Sequence, residues 1–413
     1  MQQGWKFSGN ITDRLLCWSL LYIAAIMPFQ KPAVPVVPGI VLMLSVWLFS
    51  GSLKTKFQLF FANKRAVLFA SVYLFYCIGF FYSQNSAYAL TDLLLKSPLL
   101  LFPLIISSAS LKENRDLFFK IFLFVSLLSA FCCLMYAAYF THTTGENYFF
   151  YARLSCFIHV GHYAMYLVFA AFISLHFFFT ATSRSKKTVY IFSFAILAII
   201  IFLLSARTQL AAFLIIIYSG IIFFYFSRKK WVQGFLVLGI SILLCVAALK
   251  ILPGVKMRIF SAKNETSSFF SGNKKEYNSV SLRFMIWESG LEVIKQHPVF
   301  GVGTGDAKDK LKEEATKKGY GIIVEKNLNY HNQFFQTCAA IGLIGLLLLL
   351  SSIVIGFVYG IKKREYLCLS FFTLIAISFL TESVLERQTG VIFYSFFSAL
   401  LIFADREKNA QIS

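Results

Sequence analysis

The sequence has no internal repeat at a fixed period, no low-complexity tract and no Cys-x-x-Cys. The first absence argues against a solenoid, and the second against an extended disordered region. Its 8 cysteines stand singly or as Cys132-Cys133, nearly all inside apolar blocks. They read as small buried hydrophobes, with no spacing that suggests a disulfide framework. There is no Asp-x-Asp, no His-Glu-x-x-His and no other metal constellation, so neither metal nor cofactor is expected. Nor does a serine or cysteine stand beside a base as a nucleophile would. Long polar stretches are scarce as well, and only one interrupts the apolar blocks.

What is abundant decides the class. Of 413 residues, 58% are hydrophobic and 48 are Phe, and the mean hydropathy is +0.70. A soluble chain of this size could not hide that much apolar surface, whereas a bilayer removes the need. The net charge of +20 could suggest nucleic acid. The cations, however, sit in short clusters between apolar blocks and form no basic stripe interleaved with aromatics, so no nucleic-acid partner is expected.

About twelve blocks are long enough to span, near 15–29, 34–50, 66–82, 90–108, 117–140, 157–180, 189–205, 209–226, 231–251, 333–359, 366–380 and 390–404. The expected fold is therefore an all-α polytopic membrane protein with about twelve transmembrane helices. The first block is short, precedes Gln30-Lys31-Pro32 and lacks a small-residue cleavage site, so it reads as an uncleaved span. Alternate loops carry the cations: Lys54, Lys56, Lys64 and Arg65; Lys112 and Arg115; Arg184, Lys186 and Lys187; Arg228, Lys229 and Lys230; Lys362, Lys363 and Arg364; Arg406 and Lys408. The positive-inside rule then puts both termini in the cytoplasm and the interval 252–332 outside. The expected division is 1–251 for spans 1–9, 252–332 for the outside loop carrying the site, and 333–413 for spans 10–12 with the tail. The sequons at Asn10 and Asn264 read as chance.

The outside interval has internal order. Ser281 can cap a helix running to about Gln296, on which Arg283 and Trp287 share a face one turn apart. The glycine turn Phe300–Gly305 follows, then a charged helix from Asp306 to Gly319. The turn suits close packing near the membrane better than a nucleotide, because no βαβ unit surrounds it.

Several residues could carry chemistry. Arg207 lies at the outer end of a span, where the topology rule disfavours it. It either snorkels to headgroups or reads a phosphate with its planar fork. Arg283 gains weight from Trp287, whose indole could orient the guanidinium or stack on a sugar. His331 stands at the water–membrane boundary, placed to take a proton from an acceptor hydroxyl near pH 7. Tyr330 and Asn332 beside it are candidate substrate contacts. His159 and His162 are rival bases, with Arg153 just before them as another candidate substrate contact. Asp92 and Lys96 are four apart, so Lys96 is either satisfied by that carboxylate or lines a cavity. Glu382, Glu386 and Arg387 form an outside cluster that could orient Arg207 or Arg283.

These motifs resemble one family. The run from Arg283 and Trp287 through His-Pro-Val-Phe-Gly-Val-Gly-Thr-Gly, then Tyr-His-Asn-Gln-Phe before a Gly-Leu-Ile-Gly span, is similar to the O-antigen ligase and O-antigen polymerase superfamily. The Ser-Ala-Arg-Thr connection at 205–208 and the large loop between spans 9 and 10 are similar too. The resemblance implies glycan transfer from undecaprenyl diphosphate at the periplasmic face of the bacterial inner membrane, without nucleotide sugar or metal. It maps the two arginines to Arg207 and Arg283 and the base to His331. The acceptor would be the hydroxyl of a glycolipid, lipid A-core for a ligase or a lipid-linked repeat unit for a polymerase, with membrane lipids as surroundings. An O-antigen ligase-like, inverting transferase is the leading reading. A repeat-unit polymerase is the alternative, and a protein O-glycosylation ligase and a polysaccharide transporter are further rivals. A transporter would be expected to show matching halves and midplane charges.

Overall fold

The computed structural model describes residues 10–29, 35–226, 228–251 and 278–404. Lys31, Pro32, the sequon at Asn264, residues 252–277 of the expected outside loop, and the tail cations Arg406 and Lys408 lie outside the described residues.

Among the described residues the chain is helical, without strands. The helices are α1 (Ile11–Ile26), α2 (Val36–Phe49), α3 (Leu53–Ala62), α4 (Lys64–Phe80), α5 (Ser86–Lys96), α6 (Pro98–Ser108), α7 (Arg115–Thr144), α8 (Val160–Thr180), α9 (Arg184–Leu204), α10 (Arg207–Phe226), α11 (Trp231–Ile251), α12 (Ser279–Gln296), α13 (Ala307–Lys317), α14 (Gly321–Glu325), α15 (Gln333–Lys363), α16 (Tyr366–Thr381) and α17 (Gln388–Phe403). Every apolar block falls on one or two of them. Among the described residues, seven helical stretches are long and apolar enough to cross a membrane: 11–29, 86–108, 112–144, 160–180, 184–204, 207–225 and 333–363. The bent pair α2–α3, broken by 108°, brings the number to 8 if it counts as one span. Three shorter apolar helices, Trp231–Leu243, Tyr366–Thr381 and Gln388–Phe403, come in addition. This is a multi-pass membrane protein.

The chain forms two compact units. The first comprises Met1–Val125, Ile286–Lys363 and Glu382–Ser413, and the second Ser126–Met285 and Arg364–Thr381. Each is built around a helix that is apolar on all sides. In the first, α17 is buried at every residue from Gly390 to Phe403. It packs Phe393, Phe396 and Phe397 against Phe102, Phe118, Phe119 and Phe122, with Phe122 and Phe397 ring centres 4.7 Å apart. In the second, α8 is buried from His162 through Ser174, and Phe169 meets Phe371 at 5.0 Å. A helix with no polar stripe has no solvent face to offer, so it becomes a core.

Two local expectations shift. The cap of α12 is Asn278, whose side-chain oxygen accepts from Val280 N at 3.1 Å and Ser281 N at 2.9 Å. Ser281 instead accepts from Asn278 N at 3.0 Å, a reciprocal cap that closes the helix start. Asp306 likewise precedes α13 without capping it. Its carboxylate is taken by Gln84 N at 2.7 Å and Asn85 N at 2.8 Å.

Candidate active site

In the first unit the site is a corner at the start of α15. Asn332 begins it, its Oδ1 accepting from Phe334 N at 2.9 Å and Phe335 N at 3.1 Å. The preceding His331 adopts a left-handed backbone, φ 45°, and donates its N–H to Asn329 Oδ1 at 3.1 Å. A non-glycine residue in that region costs of order 1 kcal/mol, so its neighbours must impose it. Tyr330 does so. It is fully buried, its hydroxyl donates to the Ala307 carbonyl at 3.0 Å, and its own carbonyl accepts from Trp287 Nε1 at 3.1 Å. Its ring lies on Gly290, where a Cβ would come within 2.8 Å of it. Burial pushes the Tyr330 phenol far above its usual range, which keeps it a neutral donor. Tyr330 was expected as a substrate contact, but its hydroxyl is engaged inside the protein and its work here is to hold the corner. Trp287 is likewise tied to that corner, and its ring faces Phe335 at 6.1 Å.

The His331 ring is 30% exposed, and its Nδ1 lies 3.2 Å from Glu382 Oε2. An ionised carboxylate there accepts the Nδ1 hydrogen, which leaves the Nε2 lone pair as the basic site. Glu382, expected to orient an arginine, faces this histidine. The segment that carries it is anchored to α15, because Leu385 N donates to Gln333 Oε1 at 2.7 Å. Gln333 Nε2 in turn donates to Thr337 Oγ1 at 3.0 Å.

Lys96 supplies a second anchor. It is completely buried, paired with Asp92 and, at 2.8 Å, with Glu386, and its ammonium sits 4.8 Å above the Tyr76 ring. The reading in which Lys96 lines an open cavity is corrected by this burial. A lone ammonium could not stay charged in such a place, and two carboxylates with an aromatic face make it tenable. Because Glu386 is four residues from Glu382, the ion triad clamps the segment on which the partner of His331 sits.

The glycine turn is saturated. Helix α15 breaks at Ile341 (φ −129°, ψ 20°) and Gly342 (φ 69°, ψ −171°). An unbroken helix would turn the carbonyls of Ala339 and Ala340 toward residues 343 and 344. Here they accept from Val302 N at 2.8 Å and Gly303 N at 3.0 Å, while Leu343 N donates to Pro298 O at 2.8 Å. Thr304 N reaches Gly79 O, Thr304 Oγ1 reaches Tyr76 O at 2.6 Å, and Gly305 N reaches Ser83 Oγ at 3.0 Å. Positive φ at Gly301 (72°) and Gly303 (110°) lets the backbone come this close. The N–H groups of 301–306 are thus spent on the protein.

In the second unit Ser205 ends α9 in a left-handed conformation, φ 47°, and α10 begins at Arg207. A cation at the first residue of a helix faces the positive end of its dipole, an arrangement an anion would relieve. Arg207 donates from a terminal nitrogen to Ser279 Oγ at 3.3 Å, and Ser279 is one turn before Arg283 on α12. The structure thus places Arg207 beside the helix face that carries Arg283. The connection is fixed from below by Thr208 Oγ1 with Thr381 Oγ1 at 2.8 Å, and by Ser378 Oγ donating to buried Gln209 at 3.2 Å. Arg153 is 53% exposed and pairs with Glu146 at 2.6 Å, its guanidinium 5.1 Å from the Tyr148 ring. His159 accepts from Gly161 N at 3.4 Å as the cap of α8, and His162 is buried. Among the described residues no group of three or more His, Cys, Asp or Glu side chains is arranged to hold a metal ion.

Residues 192–350 match the family model described as O-Antigen ligase. Over that segment the chain is similar to the O-antigen ligase family. A protein of Haemophilus influenzae, described only as uncharacterized, is 28% identical over 264 residues, which are 60% of this chain and 63% of the relative. The chain thus spans about 63% of the length of the curated relative it matches. The matched segment contains Arg207, Arg283, Trp287, the glycine turn, Tyr330, His331 and Asn332. Lys96, Arg153 and Glu382 lie outside it. Glu382 is the residue whose role sequence reasoning missed, since its partner is 51 positions away. A signal existed all the same: an acidic side chain at the end of an apolar block is as costly as Arg207, and calls for a partner by the same reasoning.

Proposed function

We propose that this chain is a glycosyltransferase of lipid-linked glycans, working at the periplasmic face of the bacterial inner membrane. The donor is a glycan on undecaprenyl diphosphate, and the acceptor a glycolipid hydroxyl, with lipid A-core the leading choice, as in an O-antigen ligase. The observation that carries this reading is the His331–Glu382 pair at the head of α15, a part-exposed imidazole facing a carboxylate in a chain whose residues 192–350 match the O-Antigen ligase family model.

The chemistry follows from the donor, whose glycosyl–diphosphate bond is already activated. Nε2 of His331 takes the proton of the acceptor hydroxyl, and the freed oxygen lone pair bonds to the anomeric carbon. The bond from that carbon to the phosphate oxygen breaks, and its electron pair leaves with the diphosphate. Arg207 and Arg283 meet that growing charge. One displacement inverts the anomeric configuration. The orientation of the helices supports the periplasmic placement, with both termini cytoplasmic. Helices α4 and α9 begin at Lys64-Arg65 and Arg184–Lys187 and α15 ends at Lys362-Lys363, whereas Arg207 follows the other end of α9 and His331 precedes the other end of α15.

Reconstituted protein supplied with undecaprenyl diphosphate glycan and lipid A-core tests this. Arg283→Ala should lower transfer on the order of 10²- to 10³-fold, the loss typical of one preorganised charge-stabilising donor. Arg283→Lys should restore it only in part, because the planar fork is gone. Near-normal transfer by a folded Arg283→Ala protein would overturn the assignment. Deleting the chain separates the acceptors: naked core with accumulated lipid-linked polymer marks a ligase, and core capped with one repeat marks a polymerase.

A further inference from the structure

Three helices of the first unit that frame the His331 corner also meet again at their other ends. Helix α4 reaches Tyr76 and Gly79 near the glycine turn, α15 starts beside His331, and α17 starts beside Glu386. At the far ends of the same helices is a cavity of about 590 Å³ lined by Leu59, Ala62, Asn63, Lys64, Arg65, Tyr359, Lys363, Ile402 and Phe403. Helix α4 has 17 residues, so the two ends lie roughly 25 Å apart, close to the thickness of a bilayer core.

The lining has two characters. Lys64, Arg65 and Lys363 supply three cations, and no carboxylate is among the lining residues. Lys64 and Arg65 are the first residues of α4, where the helix dipole adds to their mutual repulsion and an anion would relieve both. The Arg65 guanidinium lies 5.2 Å from the Tyr359 ring, a contact that favours a cation over the ring face. The rest of the lining is largely apolar: Leu59, Tyr359, Ile402 and Phe403 make a wall, with Ile402 and Phe403 nearly fully buried. A free phosphate would use the cations and leave that wall idle. A phosphate carried on acyl chains uses both.

We propose that this cavity binds the phosphate of an anionic membrane lipid, with Lys64, Arg65 and Lys363 on the headgroup and the Leu59–Ile402–Phe403 wall against the first part of an acyl chain. The volume suits a headgroup with the start of its chains. Since it lies at the far ends of α4, α15 and α17, this site is separate from the transfer site.

The test uses the full chain purified in detergent, with bound lipid counted by native mass spectrometry. The probes are phosphatidylglycerol, phosphatidylcholine of the same chains, and inorganic phosphate. The intact protein should retain phosphatidylglycerol over phosphatidylcholine by tenfold or more, and excess inorganic phosphate should displace little of it. The triple variant Lys64→Gln, Arg65→Gln, Lys363→Gln should lose on the order of tenfold or more of that retention, since each cation near an anionic surface counts. Ala62→Trp, which keeps all three cations and fills the space, should lose it too. Lys64→Arg with Lys363→Arg should keep it, and melting curves confirm that each variant is folded. Equal retention by the triple variant would overturn the proposal. Binding of inorganic phosphate that the lipid does not compete away would overturn it as well, marking the cavity as a free-anion site.

Discussion

The turn at 300–306 and the corner at 330–333 belong to the same polar interval, one before and one after α13 and α14 in the chain, yet they spend their polar atoms differently. The turn gives its backbone N–H groups to Ala339, Ala340, Gly79 and Ser83, and so repairs the break in α15 at Ile341-Gly342. The corner spends Tyr330 and Asn332 in the same way, on Ala307 and on the first N–H groups of α15. Only His331 keeps a part-exposed side chain, with Nδ1 at 3.2 Å from Glu382 Oε2, and the proposed chemistry uses its other ring nitrogen. The difference teaches that a motif's residues need sorting by what their atoms are already doing.

That contrast can be broken at three points, taken from the largest expected effect to the smallest. Gly342→Val strikes the turn. Gly342 has φ 69° and ψ −171°, a region open essentially to glycine alone, and a Cβ there would run into the Val299 carbonyl. Folded protein should fall sharply in thermal-unfolding and expression assays, by roughly 3 kcal/mol or more. A stable, active Gly342→Val protein would show that the turn does not repair α15.

Glu382→Gln strikes the corner and spares the fold. Glutamine keeps the size and removes the charge that fixes the imidazole, so transfer should drop by about ten- to a hundredfold, part of what a positioned base supplies. Stability should move by no more than about 1 kcal/mol, because both groups are part-exposed and screened. Unchanged transfer would leave Glu382 a bystander. Tyr330→Phe has the smallest effect. Losing one hydrogen bond to Ala307 should cost about 1 kcal/mol in unfolding experiments, with transfer per folded molecule preserved. A loss of transfer out of proportion to that would return Tyr330 to the substrate.

The helices were legible because long apolar blocks with cations between them leave a membrane chain few alternatives. Arg207 and His331 were legible as oddities, one a cation at the wrong end of a span and the other an imidazole at the boundary layer. Other features left no local mark. The 108° bend between α2 and α3 hides in a stretch where Lys54 and Lys56 read as a loop. The break at Ile341-Gly342 sits inside an unbroken apolar run, and its cause lies some forty residues earlier at Pro298 and Val302. Lys96 announced Asp92 at helical spacing but not Glu386, which is 290 positions away. Pairings of that kind are set by tertiary packing, and no periodicity records them.

The imidazole is the group on which the proposed chemistry turns, so replacing it is the most direct measurement. Turnover of undecaprenyl diphosphate glycan by reconstituted His331→Ala should fall on the order of 10²- to 10⁴-fold, the range a general base supplies, while the melting curve stays in place. His159→Ala and His162→Ala, measured alongside and shown to be folded, should keep most of their turnover. Transfer by a folded His331→Ala protein within a few-fold of the parent would contradict the assignment of His331 as the base.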